Sequence, residues 1–357
     1  RTTDRLTLAG TCAVAIASDV RIIGRDAGSP TIAALLAFHR LMVERLDRSL
    51  AEPAAGLVAG ILLGVRRALP DDVVEAFRRT GTIHILVVSG FHMSFIGLRI
   101  RDALLHSGFI PRRLALMISL ALVAAFLVMV GLQSSALRGA LMVAAIIAVG
   151  LLGRLANPVR VLLLVATAMV LTQPHVLAFD LGFQLSFAAT AGLLLIAPIV
   201  RAWLGRRPSW WWLDELRDLL SASVAAALVT APLLLGAFGT LAPLTPFTNI
   251  IVLPFIPFFM GIGTILLVVA LVVPFAVAPF AWAVEALSGA IVAIVGRAAA
   301  LPGAQLTLGA PHAWFIVGCY VILAIAAFWW YRRRGVHVLS PFAFDPAPLL
   351  RPKVVRG

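Results

Sequence analysis

Thr82-Ile83-His84-Ile85-Leu86-Val87-Val88-Ser89-Gly90-Phe91-His92-Met93-Ser94 sets two histidines and two serines inside an otherwise apolar run long enough to enter a bilayer. Polar groups are expensive in hydrocarbon, so in such a run they face a protein interior or a water-filled path. The stretch is therefore the first place to look for function, and its meaning depends on what surrounds it.

What surrounds it is apolar. Of 357 residues, 61% are hydrophobic and 13% charged, and the mean hydropathy is +1.02. A soluble domain of this size cannot cover so much apolar surface with so few charges. The composition predicts an all-α polytopic membrane protein. Arg1 rather than Met stands first, so the chain reads as a fragment, and no signal peptide can be read from it. The net charge of +13 is almost entirely arginine, Lys353 being the sole lysine. Two readings of that charge stay open: ordinary positive-inside loop charge, or a path for a polyanion, since guanidinium grips phosphate in a fork and keeps its charge when desolvated. Cys12 and Cys319 supply neither a disulfide framework nor metal spacing.

Residues 1–29 are mixed and partly alternating and end at the turn signal Gly28-Ser29-Pro30, which predicts a residual strand-like segment. Residues 31–50 have the periodicity of an amphipathic helix. The run 54–65 is too short to span, and Pro70-Asp71-Asp72 reads as a helix start, so residues 30–81 are expected to hold amphipathic or interfacial helices. Candidate apolar segments follow at 83–105, 112–132, 137–153, 158–172, 180–204, 216–238, 247–273, 275–298 and 312–331. A helix needs about 20 apolar residues to cross, so 137–153 and 158–172 are expected to tilt, pair or insert only in part. The prediction is seven to nine transmembrane or partly inserted helices over 82–331 and a basic tail over 332–357. Loops 99–113, 154–160, 201–217 and Arg332-Arg333-Arg334 are basic, whereas 173–179, 239–246 and 299–311 contain no Lys or Arg. By the positive-inside rule the basic set is cytoplasmic. Trp210-Trp211-Trp212 and Trp329-Trp330-Tyr331 read as interfacial anchors. Pro243, Pro246, Pro254 and Pro257 around Asn249 predict a helix broken at 243–257. Broken backbone at membrane depth is tolerated only inside protein or along a wet cavity.

Turned as one helix at about 100° per residue, residues 84–106 place His84, Ser89, His92, Arg99 and His106 within an arc of roughly 140°. That stripe suits either a pore wall or a surface-lying amphipathic helix. Arg138 is either an arginine that snorkels to water or a phosphate contact. Asp180 reads as a helix cap, while Gln184 lies deeper and needs a partner. Several chemistries are excluded. A P-loop needs a lysine after its glycines, and no H-E-x-x-H occurs. A serine intramembrane protease is disfavoured because Val87 crowds the position that an oxyanion site needs small, and both histidines are local to Ser89.

Thr80-Gly81-Thr82-Ile83-His84-Ile85-Leu86-Val87-Val88-Ser89-Gly90-Phe91-His92 resembles the signature of the ComEC family of competence DNA-uptake channels. Ser135-Ala136-Leu137-Arg138-Gly139-Ala140-Leu141-Met142 and Asp180-Leu181-Gly182-Phe183-Gln184-Leu185-Ser186-Phe187-Ala188-Ala189 are further matches, and Pro246-Phe247-Thr248-Asn249-Ile250-Ile251-Val252-Leu253-Pro254 resembles the family's later broken segment. The resemblance covers roughly 54–331. It implies an inner-membrane channel passing single-stranded DNA to the cytoplasm, and an extracytoplasmic OB-like domain of which 1–29 are the tail. It also implies an extracytoplasmic DNA receptor and a cytoplasmic ATP-dependent translocase as partners. Many members carry a C-terminal nuclease domain, but no H-x-H-x-D-H cluster follows the last helix here, so no enzymatic activity and no cofactor are expected of this chain. His84, Ser89, His92, Arg99, Arg138, Gln184 and Asn249 are the expected residues of the DNA path. The alternative is a secondary transporter for a small anion.

Overall fold

The computed structural model describes residues 29–65, 69–86, 90–151, 156–205 and 210–334. The strand-like segment 1–28, Ser89 and the tail from 335 onward lie outside these described residues. Helix α1 (Pro30–Ser49) begins with proline in its first turn, where no amide bond is lost, and turns Met42 and Leu46 inward. Helix α2 (Ala54–Leu63) has no polar face, and nine of its ten residues are buried, only Leu62 partly. An interfacial placement of 54–65 is thus replaced by a core one, as expected for a helix that is apolar all round. Helix α3 (Asp71–Arg79) carries Asp71 and Asp72 at its start and Arg78 and Arg79 at its end, each complementing the helix dipole, and buries Val73 and Phe77.

The segment 83–105 does not form one helix. Ile83–Leu86 is a 3-10 turn; after the undescribed residues 87–89 the chain continues as α4 (Gly90–Ser94), a π turn (Phe95–Arg99) and α5 (Ile100–His106). The single polar stripe is therefore broken. His84 belongs to a turn held by Gly81, and the wider π turn rotates the residues after it relative to α4.

Helices α6 (Arg112–Val130) and α7 (Ser134–Leu151) follow, and α8 (Pro158–Thr172) is capped by the Asn157 side chain. A short α9 (Val176–Phe179) precedes α10 (Leu181–Ala191), which runs through a π turn (Gly192–Ile196) into α11 (Ala197–Trp203). Then come α12 (Trp211–Phe238), α13 (Thr245–Val252), α14 (Phe255–Val272), α15 (Ala278–Ala300) and α16 (Ala313–Arg333). Among the described residues, seven helical stretches are long and apolar enough to cross a membrane: 112–130, 134–151, 181–203, 212–238, 255–272, 278–300 and 313–333. The protein is an all-α, multi-pass membrane protein. Helix α8, with 15 residues, rises about 22 Å, less than a hydrocarbon core of about 30 Å. The break at 243–257 is present. Pro246 falls in the first turn of α13 and Pro254 at the N-cap of α14, so the prolines start two separate helices rather than kinking one.

Two-residue strands β1 (Thr240–Leu241) and β2 (Leu306–Thr307) pair antiparallel, Thr240 opposite Thr307. They join two of the three loops that have neither Lys nor Arg, 239–246 and 299–311, placing both at one end of the bundle. Arginines hold the loops they belong to: Arg112 donates to the Gly150 carbonyl at 2.9 Å, and Arg201 pairs with Asp214 at 3.3 Å and Asp218 at 2.8 Å.

The main apolar core packs α1, α2 and α3 against α13, α14 and α15 through Leu46, Leu57, Phe77, Phe259, Leu266 and Ile291. A second core joins Met93 of α4 to Val123 of α6 and Val143 of α7. A third joins α8 to Phe183 of α10. Phe259 is fully buried, whereas its neighbour Phe258 is 67% exposed on the lipid-facing side. Phe259→Ala is expected to lower stability by about 3–5 kcal/mol and Phe258→Ala by less than about 1 kcal/mol, measured by unfolding in detergent micelles. Equal losses would place the core elsewhere.

Candidate functional site

The turn Thr80-Gly81-Thr82 ends α3 with its hydroxyls turned inward. Thr80 Oγ1 donates to the Ala76 carbonyl at 2.9 Å and lies 2.8 Å from Thr82 Oγ1, and both threonines are fully buried. Thr245, at the start of α13, donates to the Thr80 carbonyl at 3.0 Å and to the Ala242 carbonyl at 2.7 Å. Gly81 has φ +72°, and a Cβ there would collide with Thr245 Oγ1. Only glycine satisfies both demands. This turn joins the first signature motif to the segment that opens the fourth.

Nine residues on, the same motif meets the second. A Cβ on Gly139 would stand 2.7 Å from Gly90 Cα and 3.0 Å from Met93 Cβ, so α4 and α7 touch backbone to backbone. Small residues permit such approach between membrane helices. The Arg138 side chain is folded over this contact: a Cβ on Gly90 would lie 2.6 Å from Arg138 Nη2. Arg138 is only 8% exposed, so it does not snorkel to water. Its Nε donates to Ser186 Oγ at 2.7 Å, Nη1 donates to Met142 Sδ at 3.4 Å, and Cζ lies 5.8 Å from the centre of the Phe187 ring. Guanidinium has five N–H donors. Among the described residues no carboxylate forms an ion pair with it.

The nearest acid of the third motif is engaged elsewhere. Asp180 caps α10, accepting from the Phe183 amide at 3.0 Å, and its other oxygen accepts from Ser134 Oγ at the start of α7. One carboxylate thus ties two helix starts together and satisfies a free amide of α10, as its position before α10 suggested. Gln184 has the partner its depth required: Nε2 donates to the Leu177 carbonyl of α9 at 2.9 Å.

The expected path residues therefore separate. Arg138 lies buried where motifs one, two and three meet, His92 is buried on α4 (4% exposed), and Gln184 belongs to the α10 turn system. His84 is exposed, its Nδ1 3.0 Å from the Gly81 carbonyl. Arg99 is exposed at the end of the π turn, nine residues on from Gly90. Asn249 is 5% exposed on α13, and its Oδ1 has no hydrogen-bond partner among the described residues. Thr245 escaped sequence reading, although a hydroxyl directly before Pro246 is a cap signal. The partner Thr80 is 165 residues away and nothing local points to it.

The arrangement can hold an anion: a nearly buried cation, hydroxyls around it, and the start of α7 with its positive dipole end beside it. A family model described as "Competence protein" matches residues 61–333. The chain belongs to the competence protein family. The match spans all four motifs and bears out the ComEC resemblance. Among curated proteins, this competence-family chain is 26% identical over 224 residues to ComE operon protein 3 of Bacillus subtilis (strain 168), covering 63% of this chain and 27% of that protein. The chain thus spans about a quarter of that relative's length. No solved structure matches it.

The Gly90–Arg138 contact makes a coupled pair. Gly90→Ala is expected to cost about 1–3 kcal/mol, and the cost should fall by at least about 1 kcal/mol when Arg138→Ala is also present. A double-mutant cycle of unfolding in micelles measures this; strict additivity would mean that the side chain does not lie over Gly90.

Proposed function

We propose that this competence-family chain is the membrane-spanning part of a channel that carries single-stranded DNA across a bacterial inner membrane during DNA uptake. The observation that carries the reading is Arg138, buried at membrane depth with a hydroxyl, a thioether and a ring around it but no ion-paired carboxylate among the described residues. An uncompensated buried charge is costly, and well-packed apolar residues in its place are often neutral or stabilising. Its retention is accounted for if a transient anion completes it. A passing phosphodiester is such an anion, and guanidinium binds it in a fork. His92, Gln184 and Asn249 then shape the wet path, with His84 at one mouth and Arg99 toward the other; Ser89 lies between the two parts of the first motif.

In this reading the chain is a conduit and not a catalyst. Having no P-loop lysine, it takes its direction from a cytoplasmic ATP-dependent translocase, and an extracytoplasmic receptor delivers the strand. The end formed by the paired loops without Lys or Arg is the extracytoplasmic mouth. A second reading, a secondary transporter for a small anion, draws on the broken segment at 243–257 and the unpartnered Asn249 carbonyl.

Arg138→Met separates function from fold. In cells carrying the full-length protein, transformation by labelled DNA should drop by at least about tenfold (about 1.4 kcal/mol), while stability in micelles stays equal or rises. Wild-type transformation with Arg138→Met would remove the basis of the channel reading. Saturable uptake of inorganic phosphate by proteoliposomes would favour the transporter instead.

A further inference from the structure

The basic end of the bundle holds two kinds of arginine. Arg201 is paired with Asp214 and Asp218, and Arg217 donates to the backbone carbonyls of Arg201 and Gly205. Those cations serve the fold. Arg333 and Arg334, at the end of α16, are different. Each is stacked on the indole four residues earlier: Arg333 Cζ lies 3.4 Å from the centre of the Trp329 ring, and Arg334 Cζ lies 4.4 Å from that of Trp330. Both are exposed, and neither has an ion pair among the described residues. Stacking on an indole fixes a guanidinium in place without neutralising it.

An apolar groove of about 400 Å³ leads to this point. Its wall on α16 is Tyr320, Leu323, Ala324 and Ala327, and its opposite wall includes Leu195 and Phe187. Residues 320, 324, 327, 331 and 334 recur at helical spacing, so Tyr331 and Arg334 continue the face that lines the groove. Tyr331 Oη donates to the Leu195 carbonyl at 3.0 Å and closes the groove below Arg334. Tyr320 Oη is also engaged, donating to the Val229 carbonyl, so the groove offers almost no polar atom to a ligand. From Tyr320 to Ala327 the groove follows the helix for about 10 Å, and Arg334 lies about 10 Å further along it.

We propose that this groove and Arg334 together form a binding site for one anionic phospholipid. One acyl chain lies along Tyr320–Ala327, and the phosphate is held by the Trp330-stacked Arg334. The apolar lining fits the upper part of an acyl chain, and the uncompensated guanidinium further along the same helix fits the headgroup charge. The site rests only on the membrane placement of α16 and is independent of what the bundle conducts.

Native mass spectrometry of the full-length protein in detergent, titrated with phosphatidylglycerol or phosphatidylcholine of identical chains, tests it. Wild type should bind phosphatidylglycerol about tenfold more tightly. Arg334→Gln should abolish that preference and Arg334→Lys should keep part of it. Ala327→Phe, which fills the groove, should weaken both lipids; should that variant misfold, Arg334→Gln alone decides. Equal wild-type affinity for the two lipids, or an undiminished preference in Arg334→Gln, would overturn the proposal. So would binding of a short oligothymidylate that Arg334→Gln removes while leaving lipid binding intact, which would mark the cluster as a nucleic-acid surface.

Discussion

A guanidinium inside an apolar transmembrane helix must find its hydrogen bonds in protein or along a wet path, because hydrocarbon gives it none. In this chain that requirement falls on Arg138, and it explains why distant segments meet. Ser186 of α10 supplies an acceptor, Phe187 a ring face and Met142 a sulfur, while Gly90 and Gly139 remove the side chains that would keep α4 and α7 apart. Asp180 then fastens the starts of α7 and α10 through Ser134 and the Phe183 amide. The first motif is shared between two bodies of structure: its Thr80-Gly81 turn is tied to Thr245, and its Gly90–Met93 face to α7. The motifs are far apart in the chain yet form one connected set of contacts.

Much of the architecture is readable from residues alone because membranes impose long-period constraints. Apolar runs near 20 residues and a proline cluster report spans and a break without knowledge of neighbours. Asp180 is readable as a cap for the same reason: capping is local. What is not readable is what depends on partners. Nothing in Arg138 and its flanking residues distinguishes snorkelling from burial, since the answer lies with Ser186 and Gly90. The segment 83–105 reads as one apolar helix by hydropathy, but a 3-10 turn at Ile83–Leu86 and a π turn at Phe95–Arg99 interrupt it and scatter its polar stripe. Helix α2 is short enough to pass for interfacial, and only the packing of α1, α14 and α15 around it makes it core.

The candidate residues could be named from sequence, but where they lie could not. His92 and Arg138 are both buried, Gln184 is bound to α9, and Asn249 sits on the broken segment with a buried carbonyl that has no partner among the described residues. His84 and Arg99 are exposed at either side of the buried part. A conduit needs such a gradient, with accessible polar groups flanking a buried cation. The lipid-facing apolar groove along α16 also reaches Phe187, the ring against Arg138, so the bilayer and the site share one side chain.

The account depends most on the backbone contact that seats Arg138 between α4 and α7, and a single cross-link tests it. In full-length protein with Cys12 and Cys319 replaced, Met93→Cys on α4 and Val143→Cys on α7, which belong to one buried cluster, place two thiols across the contact while leaving Gly90 and Gly139 as they are. Mild oxidation of membranes should join the two in high yield, read as a mobility shift after cleavage between α4 and α7. Failure to cross-link, in protein that is inserted and folded, would contradict the convergence of the motifs on which the functional reading stands.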